Sequence, residues 1–120
     1  MDKYKNETTE LTRGTIVYVR NENASGHVVK GTHPAVVIQN NVGNQYSPTV
    51  IVAFLTSKIK RLDMKTHVIL KHYDQLRVSV VQTEQMATID KRDVLAVVEK
   101  LRQEDMARVD AAVRVSLGLR

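Results

Sequence analysis

Any chemistry in this chain must come from dispersed side chains. His27, His33, His67 and His72 show no HxH or HExxH spacing, so no metal-ligand set is legible. No glycine-rich phosphate loop runs from a strand into a helix, and no GxSxG elbow occurs. Cysteine is absent, which excludes thiolate chemistry and a disulfide scaffold. His33 stands out because it directly precedes Pro34 at the start of the apolar run AVVIQ. Imidazole titrates near neutral pH, so His33 is a candidate proton donor or acceptor. It is equally readable as a half-buried histidine satisfying a backbone group.

Thr56 ends the run TVIVAFLT. A hydroxyl at a sheet rim can bond a phosphate or ribose oxygen, although a threonine in a strand is usually only a β-former. Arg13 opens RGTIVYVR and either decorates a strand edge or offers a guanidinium fork to phosphate. Lys58, Lys60, Arg61 and Lys65 form a basic cluster just past Thr56. Such a run is most often a solvated surface. As a clamp making about four phosphate contacts, it gives a log–log salt slope near about −3 on a single strand.

The elements that must position these residues are mostly strands. Residues 13–20 are rich in β-branched and aromatic types and predict a strand. NENASGHVVKGTH is a long loop, and AVVIQ (35–39) a short strand with Pro34 at its first position. NNVGNQYSP (40–48) reads as turn chemistry, and TVIVAFLT (49–56) as a strand buried on both faces. THVIL (66–70) and RVSVVQTEQMATI (77–89) predict two more strands, the second long and bent. VLAVVEKL (94–101) fits a strand or a helix. Met106, Val109, Val113 and Leu117 recur at helical spacing, and Gly118 predicts the stop. Their stripe suits a core or a dimer contact. The expected class is mainly β with α (α+β): a small, strongly curved antiparallel sheet or partial barrel with a C-terminal helix.

At 120 residues the chain is one domain, with residues 1–12 expected as a polar arm and 13–120 as the folded part. The 18 Lys and Arg against 13 Asp and Glu give a net charge of +5, which favours a polyanionic or acidic partner. One Phe, four Tyr and no Trp make a base-stacking platform an improbable source of affinity. The polar N-terminus, the lack of a long apolar run and the absence of cysteine suit a cytoplasmic protein off the membrane.

The segments VIQNxxGNxxSPTxIVAxxTSKI, THVxL and EQxxTIDK, with RGTIVYV before them and VDAAVRVSLGL after, together resemble the MazF/PemK family of toxin endoribonucleases. The resemblance spans about Arg13 to Leu119. It implies a partial barrel of SH3-like, CcdB-like character that works as a homodimer. The implied activity is cleavage of single-stranded RNA at short motifs, without metal or cofactor, by attack of the ribose 2′-hydroxyl on the adjacent phosphate. The implied partner is a MazE-like antitoxin whose tail lies over the RNA groove.

Carried over onto this sequence, the resemblance assigns catalysis to Thr56 and Arg13, with His33 in the place of the family arginine. It assigns RNA binding to Asn40, Lys58, Ser79, Glu84 and Gln85. Three positions depart from the pattern. The family's GxRP is Gly31-Thr32-His33-Pro34, an acidic residue of the first loop is replaced by Val28, and the Asp of an Asp-Ser pair is Val78. Two alternatives therefore stand beside the enzyme: an attenuated homologue that mainly binds antitoxin or RNA, and a CcdB-like gyrase inhibitor.

Overall fold

A computed structural model of the chain describes residues 11–22, 25–59 and 61–120. Six strands form one antiparallel sheet: β1 (Thr15–Asn21), β2 (Gly31–Val37), β3 (Thr49–Thr56), β4 (His67–Leu70), β5 (Ser79–Asp90) and β6 (Val94–Lys100). Their spatial order is β4-β5-β3-β2-β1-β6. A short helix α1 (Asn41–Tyr46) joins β2 to β3, and α2 (Gln103–Leu117) closes the chain. The mainly β class with a C-terminal helix is as expected.

Both faces of the central strands are buried, which is why β3 reads as an almost continuous apolar run. Side chains alternate along a strand. Ile16, Val36, Ala53 and Leu55 face a core layer that α2 covers with Val109 and Ala112. Their neighbours Val17, Val19, Ala35, Val37, Val52 and Phe54 enter a second layer, inside the curl of the sheet. The curl comes from ladder irregularities. Along β3 and β5 the register steps from Ala53↔Met86 to Phe54↔Gln82, so Thr83, Glu84 and Gln85 are extra residues on β5. Such an insertion bends a strand and increases its twist. Thr83, wholly buried, anchors the bulge by donating to the Thr66 carbonyl at 2.7 Å.

Several local expectations change. The segment 40–48 is not all turn. Asn40 caps α1 by accepting the Gly43 N–H at 2.8 Å, and a single polar cap suffices for a helix this short once both ends are fixed by strands. β2 starts at Gly31, so Pro34 stands in mid-strand opposite Tyr18, and His33 opposite Val19. Proline is tolerated because β2 pairs with β3 only from Ala35 onward. β5 begins at Ser79, leaving Arg77 in the preceding connection. The ambiguous 94–101 segment is the edge strand β6, paired to β1.

On α2, Val109 is buried and Met106 and Val113 pack on the core, but Leu117 is exposed. Gly118 ends the helix in the left-handed region at φ 71°. Of the expected N-terminal arm, residues 1–10 lie outside the described residues. Leu11 packs on the second core layer, and Thr12 bonds Thr15. Among the described residues no helix is long and apolar enough to cross a membrane.

Candidate functional site

A cleft of about 530 Å³ opens where the ends of β2 and β3 meet the connection into β5. Four of the eight sequence-predicted residues line it: His33, Thr56, Lys58 and Ser79. Tyr18 and Pro34 continue the β1–β2 side, and Gln75, Leu76 and Arg77 supply the other bank. Among the described residues no acidic side chain lines the cleft, while Lys58 and Arg77 do. The local field therefore favours an anion.

Strand pairing brings these residues together. Thr56 is the last residue of β3 and pairs with Val80, so Ser79 lies one step beyond it. The Thr56 hydroxyl accepts the Lys58 N–H at 3.1 Å, which turns the chain out of the strand. Its own proton remains available to an oxygen in the cleft. Ser79 is buried and donates to the Arg77 carbonyl at 2.8 Å, so its hydroxyl shapes the bank.

His33 satisfies a backbone group, as the structural reading of it expects. Its Nε2 lies 2.6 Å from the Lys30 carbonyl. A carbonyl only accepts, so Nε2 carries a proton and Nδ1 is the nitrogen left to exchange one. The ring also stands edge-on to Phe54, with centroids 6.3 Å apart at 83°. The imidazole is thus fixed in orientation by a backbone group and a core ring, and it still lines the cleft.

The other predicted residues lie elsewhere. Arg13 is no free fork for phosphate. Its guanidinium grips both carboxylate oxygens of Asp110 on α2, at 2.6 and 3.3 Å, and donates to the Ile38 carbonyl at 2.9 Å. It pins the start of β1 to α2 across the sheet. Asn40 is spent on capping α1. Gln85 holds the first loop, accepting from Val29 N–H and donating to the His27 carbonyl, each at 3.3 Å. Within the basic cluster Arg61 is paired with Asp63 at 3.1 Å, and Lys60 lies outside the described residues. Of that cluster, Lys58 is the one described residue that lines the cleft.

Glu84, in the β5 bulge, bonds the buried His67 at 2.8 Å. His67 also bonds the Arg61 carbonyl through Nδ1 at 3.0 Å. Burial works to raise the Glu84 pKa, but the His67 and backbone hydrogen bonds outweigh it and hold the carboxyl below its usual range. A depressed carboxylate stabilises the fold above the ordinary carboxylate range and loses that contribution as pH falls through its lowered value. Melting temperatures from about pH 7 to about pH 3 should therefore fall less for Glu84→Gln than for the parent chain. Equal slopes would assign the acid sensitivity elsewhere.

Sequence reasoning missed the second bank. Arg77 was read as the first residue of a strand. The available signal was its position two residues ahead of Ser79. Nor could sequence pair Arg13 with Asp110, 97 positions apart.

Fold and cleft together define a class: a small, curled antiparallel domain with a C-terminal helix across one face and an anion-favouring cleft at the strand ends. Residues 12–117 match the family described as PemK-like, MazF-like toxin of type II toxin-antitoxin system, and the chain belongs to that family. It is 38% identical over 111 residues to Endoribonuclease EndoA of Bacillus subtilis (strain 168), covering 91% of this chain and 96% of the relative. Among solved structures, MazF (Form-I) from Deinococcus radiodurans superposes with a TM-score of 0.81 at 19% identity, over 93% of this chain and all of that one. A mycobacterial endoribonuclease in complex with its cognate antitoxin gives a TM-score of 0.74 at 21% identity, over 91% of this chain and 96% of that chain. These two likenesses concern the fold.

Proposed function

We propose that this toxin-family protein is an endoribonuclease that cleaves single-stranded RNA in the His33–Thr56 cleft. The observation that carries this is the convergence of an oriented imidazole and a strand-end hydroxyl in one cleft that no acidic side chain lines among the described residues. RNA carries its own nucleophile, so the protein has to position and to stabilise charge. Thr56 donates to a phosphate oxygen and aligns the scissile group. The ribose 2′-hydroxyl gives its proton to solvent water as its oxygen bonds phosphorus. The bond to the 5′-oxygen breaks, and protonated His33 stabilises the developing charge and delivers a proton to that oxygen. The products are a 2′,3′-cyclic phosphate and a 5′-hydroxyl. No step calls for a metal-activated water.

The protein works in the cytoplasm as a homodimer and is neutralised by a MazE-like antitoxin. Supporting this, EndoA is named an endoribonuclease, and the mycobacterial fold relative was solved with its antitoxin. The basic excess of the chain suits both RNA and an acidic antitoxin tail.

The test is cleavage of a long single-stranded RNA by purified protein in EDTA, with end-group analysis. The expected result is fragments bearing cyclic phosphate and 5′-hydroxyl ends, and a loss of about tenfold to a hundredfold in rate for Thr56→Val. Cleavage that stops in EDTA, or fragments with 5′-phosphate ends, would sink the mechanism.

A further inference from the structure

The connection from β4 to β5 is built more firmly than a surface loop needs to be. Tyr73 donates its hydroxyl to Asp105 at 2.6 Å and accepts the Arg102 N–H at 2.9 Å. The Arg102 guanidinium lies 4.0 Å over the Tyr73 ring and donates to the carbonyls of Lys71 and His72. The Glu99 carboxylate accepts the N–H groups of Asp74 and Gln75 at 3.3 and 2.8 Å. Asp105 sits at the hub, its side chain only 8% exposed, and also takes Arg102 and Arg108. Burial disfavours its charge, yet the Tyr73 and Arg108 hydrogen bonds and the Arg102 charge hold its carboxyl below the usual range.

What this connection carries is Arg77, which lines the cleft with His33 and Thr56. Among the described residues the Arg77 guanidinium has no hydrogen bond or ion pair, while its carbonyl is fixed by Ser79. An arginine without a partner among the described residues, held on a fixed backbone beside a cleft that no described acidic side chain lines, is suited to an incoming phosphate. Arg13, the arginine the sequence favoured, is already taken by Asp110.

We propose that the connection 71–78 is a preset phosphate-binding bank of the RNA cleft, with Arg77 the contacting group and Asp105, acting through Tyr73 and Arg102, its positioning residue. This rests on the cleft being the RNA site. The preset loop spares RNA binding the entropy of ordering Arg77's backbone. It also supplies a permanent charge on the bank across from His33.

The test uses the full chain and a mixed-sequence single-stranded 2′-O-methyl RNA, which lacks the nucleophile and reports binding alone. Arg77→Ala should weaken binding about tenfold and reduce the magnitude of the log–log salt slope by about 0.7. Arg77→Lys should restore the slope, since it restores the charge. Asp105→Asn and the milder Tyr73→Phe should each weaken binding severalfold, and neither should add to the loss in Arg77→Ala, because a positioning residue acts only through the group it positions. An unchanged salt slope in Arg77→Ala overturns the phosphate contact. Losses that add overturn the positioning role. Cleavage of ordinary RNA is read in parallel. Normal binding without cleavage in the parent chain removes the nuclease reading and leaves this one standing. Intact cleavage and binding in Arg77→Ala does the reverse.

Discussion

His33→Gln is expected to lower RNA cleavage by roughly 10²–10⁴-fold, the range of a lost general acid or base, while RNA binding changes little. Glutamine keeps an N–H donor for the Lys30 carbonyl, so the local tie seen at 2.6 Å can survive while proton transfer cannot. His33→Ala loses both and serves as the harsher control. His33→Arg restores a permanent cation and should recover cleavage that His33→Gln loses. Equal rates for His33→Gln and the parent would reduce the histidine to a backbone tie. An inert parent with an active His33→Arg would mean that the cleft binds RNA or antitoxin and has given up its catalytic charge.

Phe54→Ala is expected to cost about 3–5 kcal/mol of folding stability. Phe54 is the only phenylalanine and is 1% exposed, packed in the inner layer with Val17, Val52 and Ile89. A domain has only about 5–15 kcal/mol in hand, so the variant should unfold at much lower urea. Phe54→Leu retains most of the volume and should cost about 1–2 kcal/mol. It also removes the ring that meets His33 edge-on, so its cleavage rate should drop further than its stability implies. Equilibrium urea unfolding checks the first part and cleavage kinetics under folded conditions the second. A loss below about 1 kcal/mol for Phe54→Ala would mean that the inner layer collapses around the gap.

The sequence alone determined five of the six strands, leaving β6 open, together with the C-terminal helix and its glycine stop. These are local properties: alternation of apolar residues, β-branched enrichment, and one residue free to adopt a positive φ. It also determined His33 and Thr56 as candidates, since a functional type at a strand end is visible in one dimension. Family membership was legible for the same reason, being carried by contiguous segments.

What it did not determine was how residues far apart in the chain meet. Arg13 was available to phosphate until folding placed Asp110 beside it. Glu84 and Gln85 sat in a promising motif, but a three-residue bulge turned them to His67 and to the first loop. Arg77 had no distinguishing neighbourhood until Tyr73, Glu99 and Asp105 fixed the connection beneath it. The physical reason is common to all three. A charged side chain does different work according to whether a counter-charge lies within hydrogen-bond reach, and in a sheet wound from six strands that distance is set by pairing and bulges between segments many residues apart.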